Sequence, residues 1–305
     1  YSLNTIQDAL FAAHSPKQLS QTQGARYRLA FDELLMLHLR SQIRKKEWAQ
    51  QHRSHILKKY AGKKQTFLSS LPFSLTQDQK QAIEAIGKDL SEPVPMNRLL
   101  LGDVGSGKTV VAAYAIYRTI LNGFSAVFLA PTQILATQHF QTLTAMFAPF
   151  GIPVTLHTAA TKKKKSDTPL SGVIVGTHAV LTHAMEITRL GLLVIDEQQR
   201  FGVHQRSLLQ EKREDATTPH VLTTTATPIP RTLALTVYGH LDVSLLSTMP
   251  TGRLPVKTWV VPSEKRDGAY EWIQKHIQET RSQAFIVCPF IDPSDTAQSV
   301  RSATK

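Results

Sequence analysis

The chain has 305 residues, 42% of them apolar, enough for two domains with cores of their own. No apolar run approaches the ~18 residues of a membrane span. The one cysteine, Cys288, excludes a disulfide framework and a cysteine-based metal site, and it suits a reducing, cytoplasmic compartment.

Charge is uneven along the chain. Residues 1–64 hold 12 Lys and Arg against 4 Asp and Glu, so +8 of the net +12 lies there. Such a segment points to a polyanion partner, because neutralising phosphates releases counterions, and it reads also as the solvated face of a helix. Within it Phe31, Leu34, Leu35 and Leu39 recur at helical spacing, which predicts a long amphipathic helix over 25–60. Its other face carries Arg40, Arg44, Lys45, Lys46, Arg53, Lys58 and Lys59, to pack across a domain boundary or lie along nucleic acid. The chain opens on Tyr1 and stops on a polar stretch, the pattern expected of a fragment.

Beyond Pro72, strand and helix patterns alternate, which predicts an α/β domain with a parallel sheet and helices on both faces. Strands are expected over 98–101, 125–130, 152–156, 173–176, 192–195 and 221–224, with helices over 110–121 and 134–147 among the connections. A second set follows residue 250: a strand over 256–261, a helix over 267–280 and a strand over 283–288, too little to complete a domain. The expected organisation is a helical linker over 1–65, an α/β domain over 66–249 and the truncated start of a second domain over 250–305.

Gly102-Asp103-Val104-Gly105-Ser106-Gly107-Lys108-Thr109 sits between a predicted strand and a predicted helix. Such a loop cradles phosphates with its backbone N–H groups, while the Lys reaches the β- and γ-phosphates and the Thr holds Mg²⁺. The apolar run 192–195 delivers Asp196 and Glu197 to the carboxyl end of a buried strand, where open α/β sheets bind ligands. Asp196 is the candidate Mg²⁺ ligand and Glu197 the candidate base for an attacking water. An ATP-gated switch without turnover has no need of Glu197, which weighs against that reading.

Four further strings accompany these two. Phe73 and Gln79 precede the phosphate loop by a helix and offer stacking and an amide to read adenine. Pro131-Thr132 and Gly176-Thr177-His178 each end a predicted strand, where N–H and hydroxyl groups hold a nucleic-acid backbone. Thr225 and Thr227, followed by Arg231, end another and bridge the acidic site to that face. Each string alone reads equally as a loop.

In this order the strings resemble the first motor domain of a superfamily 2 helicase, and within it the bacterial RecG family, from about residue 3 to residue 292. The strings that carry this include Arg28 to Leu35, Asp196 to Val203, and Thr225 to Leu235 running on to Asp242-Val243-Ser244, and the most specific are Arg200 to Val203 and Thr227 to Leu233. The resemblance implies a RecA-like P-loop domain preceded by a long helix and followed by a truncated second RecA-like domain. It implies ATP and Mg²⁺ as cofactors, branched DNA (forks and Holliday junctions) as substrate, a monomer, and single-stranded DNA-binding protein as a further partner. Gln199 stands where that family has His, and Gln cannot be protonated. The transcription-repair coupling factor, a relative with Gln there, is the second candidate. Arg200, next along, is a candidate DNA contact, and His204 orients that loop. His178, His183 and His204 are too scattered for a zinc site, and the Lys run 162–165 reads as a solvated or phosphate-contacting loop.

Overall fold

The structure is a computed structural model, describing residues 3–158, 171–178, 180, 187–197, 217–226, 241–250 and 256–287. Residues 1–252 make one compact unit and 253–305 another.

The first unit is built on a seven-stranded sheet: β1 (Asn97–Gly102), β2 (Ser125–Leu129), β3 (Val154–His157), β4 (Val173–Gly176), β5 (Leu190–Asp196), β6 (His220–Thr225) and β7 (Asp242–Leu246). The order is β3-β4-β2-β5-β6-β1-β7 and every pairing is parallel. Alternation explains why the strands read as unbroken apolar runs. Leu100, Ala126, Phe128, Val173, Val175, Leu192, Val194 and Leu222 fall in one core cluster. Their neighbours Val127, Leu129, Ile174, Leu193, Ile195 and Val221 fall in another, so both faces are buried. The first cluster takes in α4 (Gln77–Asp89), α5 (Lys108–Leu121) and α6 (Gln133–Phe147). Ten of the fourteen α5 residues are buried, which makes it the central helix of that layer.

Six strands lie where the sequence places them, within two residues. The seventh, β7, was not anticipated. Its five residues bury Ser244 and Leu246 and leave Leu245 exposed, a pattern set by pairing with β1 and by Arg98, whose Nη1 donates to Ser244 Oγ at 2.9 Å. Arg98 also pairs with Asp89 at 2.6 Å, with both side chains largely covered.

Two helices, α1 (Ile6–His14) and α2 (Leu19–Gln51), precede this body, and the short α3 (Lys63–Ser69) lies beside α5. The long helix starts earlier than its apolar stripe predicts and ends at residue 51, not 60. Its stripe is not buried: Ala25 and Ser41 are its only buried residues, while Leu34, Leu35 and Leu39 are exposed by 41–52%. The helix stops because residues 53–58 have better partners elsewhere. Thr218 N–H donates to Arg53 O, Ser54 N–H to Pro93 O, Leu57 N–H to Leu90 O and Lys58 N–H to the side chain of Asn122, all at 2.8 Å. Buried Arg118 of α5 adds bonds to Leu57 O, Gly87 O and Ser91 Oγ, tying this strap to the end of α4.

His220, at the start of β6, fastens the strap to the sheet. Its Nδ1 accepts from Met96 N–H at 3.0 Å and its Nε2–H donates to His55 O at 2.8 Å, which requires the neutral ring. In the second unit, α7 (Arg266–Thr280) forms close to where it is expected. The strands expected at 256–261 and 283–288 do not: 256–262 and 281–287 have no regular structure, with Val260 and Val287 more than 90% exposed. A strand needs a ladder partner, and the described residues of this unit supply none. Cys288 lies outside the described residues.

Burial pushes the His220 pKa down to about 4, against 6.5 for a free side chain. The unfolded chain therefore takes up a proton that the folded chain refuses. The stability this ring confers is complete above pH 6.5 and is lost as pH falls toward 4, by roughly 3 kcal/mol in all. Denaturant unfolding at pH 7.5 and pH 5 tests this: the native protein should lose stability on acidification by more than His220→Gln does. Equal losses would contradict it.

Candidate functional site

Because every strand runs the same way, all carboxyl ends meet at one edge, and the described candidate residues that end or follow strands gather there. The glycine-rich loop 102–109, the candidate phosphate cradle, leaves β1 and enters α5. Gly107, at φ 85°, is the N-cap of α5 and provides no side-chain cap, so the helix amides are open to an anion. A Cβ at Gly107 would overlap the Gln79 amide. Asp103, Val104 and Gly105 are exposed. Ser106 is fully buried and its hydroxyl has no hydrogen-bond partner, a polar atom left over for a ligand.

Lys108 opens α5. Its Nζ donates to Gly102 O at 2.8 Å and Asp103 O at 3.0 Å. Burial lowers its pKa, while the charges of Asp196, Glu197 and Asp103 act to raise it, so cation and carboxylates face one another. Asp196 ends β5. Burial drives its pKa up, but hydrogen bonds from His139 and Thr224, with the charges of His139 and Lys108, outweigh this and hold it below the usual carboxylate value. Glu197 follows in the left-handed region at φ 53°, a strained setting for a non-glycine residue. It is fixed there by its own N–H to Thr224 O at 2.9 Å, by Ala226 N–H to its Oε1 at 3.0 Å, and by the Thr225 hydroxyl to its Oε2 at 3.3 Å.

A phosphate-bound divalent cation needs hard oxygen donors beside the loop. Asp196, held ionised, and Thr109, half-buried in the first turn of α5, are donors of that kind, and these residues fit Mg²⁺.

Gln79 is placed differently from its sequence-based role. It is 2% exposed, its Oε1 accepts from Thr76 N–H at 2.8 Å in a capping box, and its Nε2 donates to Ser106 O at 2.8 Å. Its amide thus holds the phosphate loop rather than facing outward. Phe73 is 47% exposed and lines a separate cavity of about 580 Å³ with Leu71, Leu75 and Lys80. Asp78 anchors the same helix: its Oδ2 accepts from the N–H groups of Ser247 and Thr248 at 2.8 Å, and these bonds help hold its pKa down.

Pro131 and Thr132 follow β2. Thr132 is exposed, and its hydroxyl caps α6 by accepting from Leu135 N–H at 3.3 Å. Gly176 ends β4 and Thr177 follows it, both buried, and His178 is exposed. A Cβ at Gly176 would strike His157 O and Val180, which explains the glycine by packing. Gln199, Arg200, Thr227, Arg231, the Lys run 162–165, His183 and His204 lie outside the described residues. Two site residues escaped the sequence reading. Thr224, the last but one residue of β6, donates to Asp196 Oδ1, and His139 of α6 donates to its Oδ2 at 3.0 Å. The buried Thr run 223–225 at the end of an apolar strand was a signal for the first, and nothing local marks the second.

Comparison with known proteins agrees with this geometry. The RecG ATP-dependent DNA helicase of Synechocystis sp. is 42% identical over 302 residues, 97% of this chain and 36% of the relative. The RecG helicase of Bacillus subtilis is 40% identical over 303 residues, 97% of this chain and 44% of the relative. A solved structure of RecG bound to a three-way DNA junction matches with TM-score 0.77 at 38% identity, over 91% of this chain and 38% of that one, and it shows the fold to be RecA-like. This chain thus spans less than half the length of these relatives. The DEAD/DEAH box helicase family model matches residues 76–236, more than half of the chain and inclusive of the phosphate loop and both carboxylates; the chain belongs to that family.

Proposed function

We propose that this chain is the ATP-binding part of a RecG-type motor, which couples ATP hydrolysis to translocation on branched DNA, regressing forks and migrating Holliday junctions. The observation that carries this reading is the facing of Lys108 by Asp196 and Glu197 at the sheet edge that also holds Thr132 and His178. The likeness to RecG helicases over nearly the whole chain supports it.

In this reading the α5 amides and Lys108 hold the ATP phosphates, Ser106 offers its spare hydroxyl, and Thr109 and Asp196 hold Mg²⁺. Held there, Mg²⁺ would supply Lewis-acid stabilisation of the negative charge that develops on the phosphates. Glu197 orients a water and accepts its proton. The left-handed backbone and the donors Thr225 and Ala226 set the direction from which it does so. Gln79 holds Ser106 O, so nucleotide contact near α4 is conveyed to the loop, and Phe73 stacks on the base. Thr225, with Thr227, Gln199 and Arg231, links this chemistry to DNA held by Pro131, Thr132, Thr177, His178, Arg200 and the backbone of Gly176. The protein acts as a cytoplasmic monomer, with single-stranded DNA-binding protein as a partner.

Lys108→Ala should weaken binding of a non-hydrolysable ATP analogue by at least about tenfold, since a charge-assisted bond to phosphate contributes roughly 1.5–3 kcal/mol. Calorimetric titration reads this directly, and unchanged affinity would remove the phosphate-loop assignment. Glu197→Gln should retain ATP and DNA binding while losing about 100-fold or more in DNA-stimulated hydrolysis, because an amide cannot take the water's proton. Near-native turnover would place the base elsewhere. The exposed cations near the N-terminal helix should set the salt dependence of DNA binding. Lys45 is engaged by Asp242 at 2.7 Å, so the informative set is Lys46, Lys58 and Lys59. Replacing these three should flatten the slope of log K against log salt by about 0.9 for each duplex phosphate no longer neutralised. An unchanged slope would mean that this face meets solvent or protein.

A further inference from the structure

Asp196 is gripped from both sides of its own strand. In the sheet β5 lies between β6 and β2. From the β6 side the Thr224 hydroxyl donates to Oδ1, and from α6, the helix that follows β2, His139 Nε2–H donates to Oδ2 at 3.0 Å. The His139 ring rests on Phe128 of β2, with centroids 4.4 Å apart, and both His139 and Asp196 are largely covered, at 15% and 13% side-chain exposure. A carboxylate that takes one donor on each oxygen cannot rotate without breaking a bond. Its remaining lone pairs therefore keep one direction.

We propose that His139 is a positioning residue of the ATPase site: its donation to Asp196 Oδ2 fixes the direction in which that carboxylate meets nucleotide-bound Mg²⁺. This rests on the reading of Asp196 as the Mg²⁺-holding residue. A ligating carboxylate left free to turn must be ordered when the metal binds, and loss of such an outer partner typically costs about 10–100-fold in metal affinity or activity. The helix is well suited to the task. His139 lies seven residues, two turns, beyond the Thr132 cap, and neighbouring Ala136, Leu143 and Phe147 of α6 are buried, so the ring is carried by a fixed scaffold.

Two substitutions separate the hydrogen bond from the packing. His139→Leu fills the space over Phe128 with no donor, and His139→Gln restores an amide N–H at similar reach. The readout is equilibrium binding of a fluorescent non-hydrolysable ATP analogue to the full chain, with Mg²⁺ titrated and with a chelator present, so no turnover is needed. His139→Leu should raise the Mg²⁺ concentration for half-maximal tightening by about tenfold or more. Its chelator affinity should stay within about twofold of the native value, and His139→Gln should recover most of the difference. The inference is overturned if His139→Leu keeps the native Mg²⁺ dependence, if its affinity falls equally with and without Mg²⁺, or if His139→Gln behaves as His139→Leu. If the native protein shows no Mg²⁺-dependent binding at all, the ATP reading itself fails, and the inference with it.

Discussion

Parallel pairing of all seven strands is the constraint on which this molecule depends. A parallel strand ends where its neighbours end, so residues far apart in the chain arrive at one edge. The glycine-rich loop after β1, Pro131 and Thr132 after β2, Gly176 and Thr177 at the end of β4, Asp196 and Glu197 at the end of β5 and Thr225 of β6 share that edge for this reason alone. Register makes the arrangement finer. Asp196 stands opposite Thr224, and this single pairing supplies one of the two donors that orient its carboxylate.

Electrostatics at that edge are balanced rather than neutral. One half-buried ammonium faces two carboxylates, and neither Lys108 nor Asp196 keeps its ordinary proton affinity. Burial acts against charge at both positions, and each is sustained by donors, acceptors or opposite charge nearby. Lys108 and Asp196 are thus each held in place by partners within the chain. Glu197, held at positive φ by three hydrogen bonds, is fixed in the same way.

The opposite edge has a structural task. The strap over residues 53–58 runs past the amino ends of β1 and β6, secured by main-chain bonds, by Arg118 and by the neutral His220 ring. It joins the long α2 helix to the ATP-binding body through buried polar groups, each of which would be costly to leave unpaired. The exposed apolar and basic surface of α2 is therefore carried on a firm base.

The sequence by itself determined the architecture of the main unit and named the candidate residues along its sheet edge. Apolar runs of strand length, each followed by a glycine, hydroxyl or carboxylate string, are local signals, and they placed six strands and the two central motifs to within two residues. What tertiary structure alone decided are pairings between distant residues. His139 lies 57 positions before Asp196, and His55 lies 165 before His220. No periodicity reports such separations. The inward turn of Gln79 depends on where Ser106 O sits, the end of α2 on carbonyls and amides offered by residues 90, 93 and 218, and the existence of β7 on an open edge of β1. The expected strands of the second unit failed for the converse reason: apolar residues at strand spacing make a strand only when a neighbouring strand completes their hydrogen bonds.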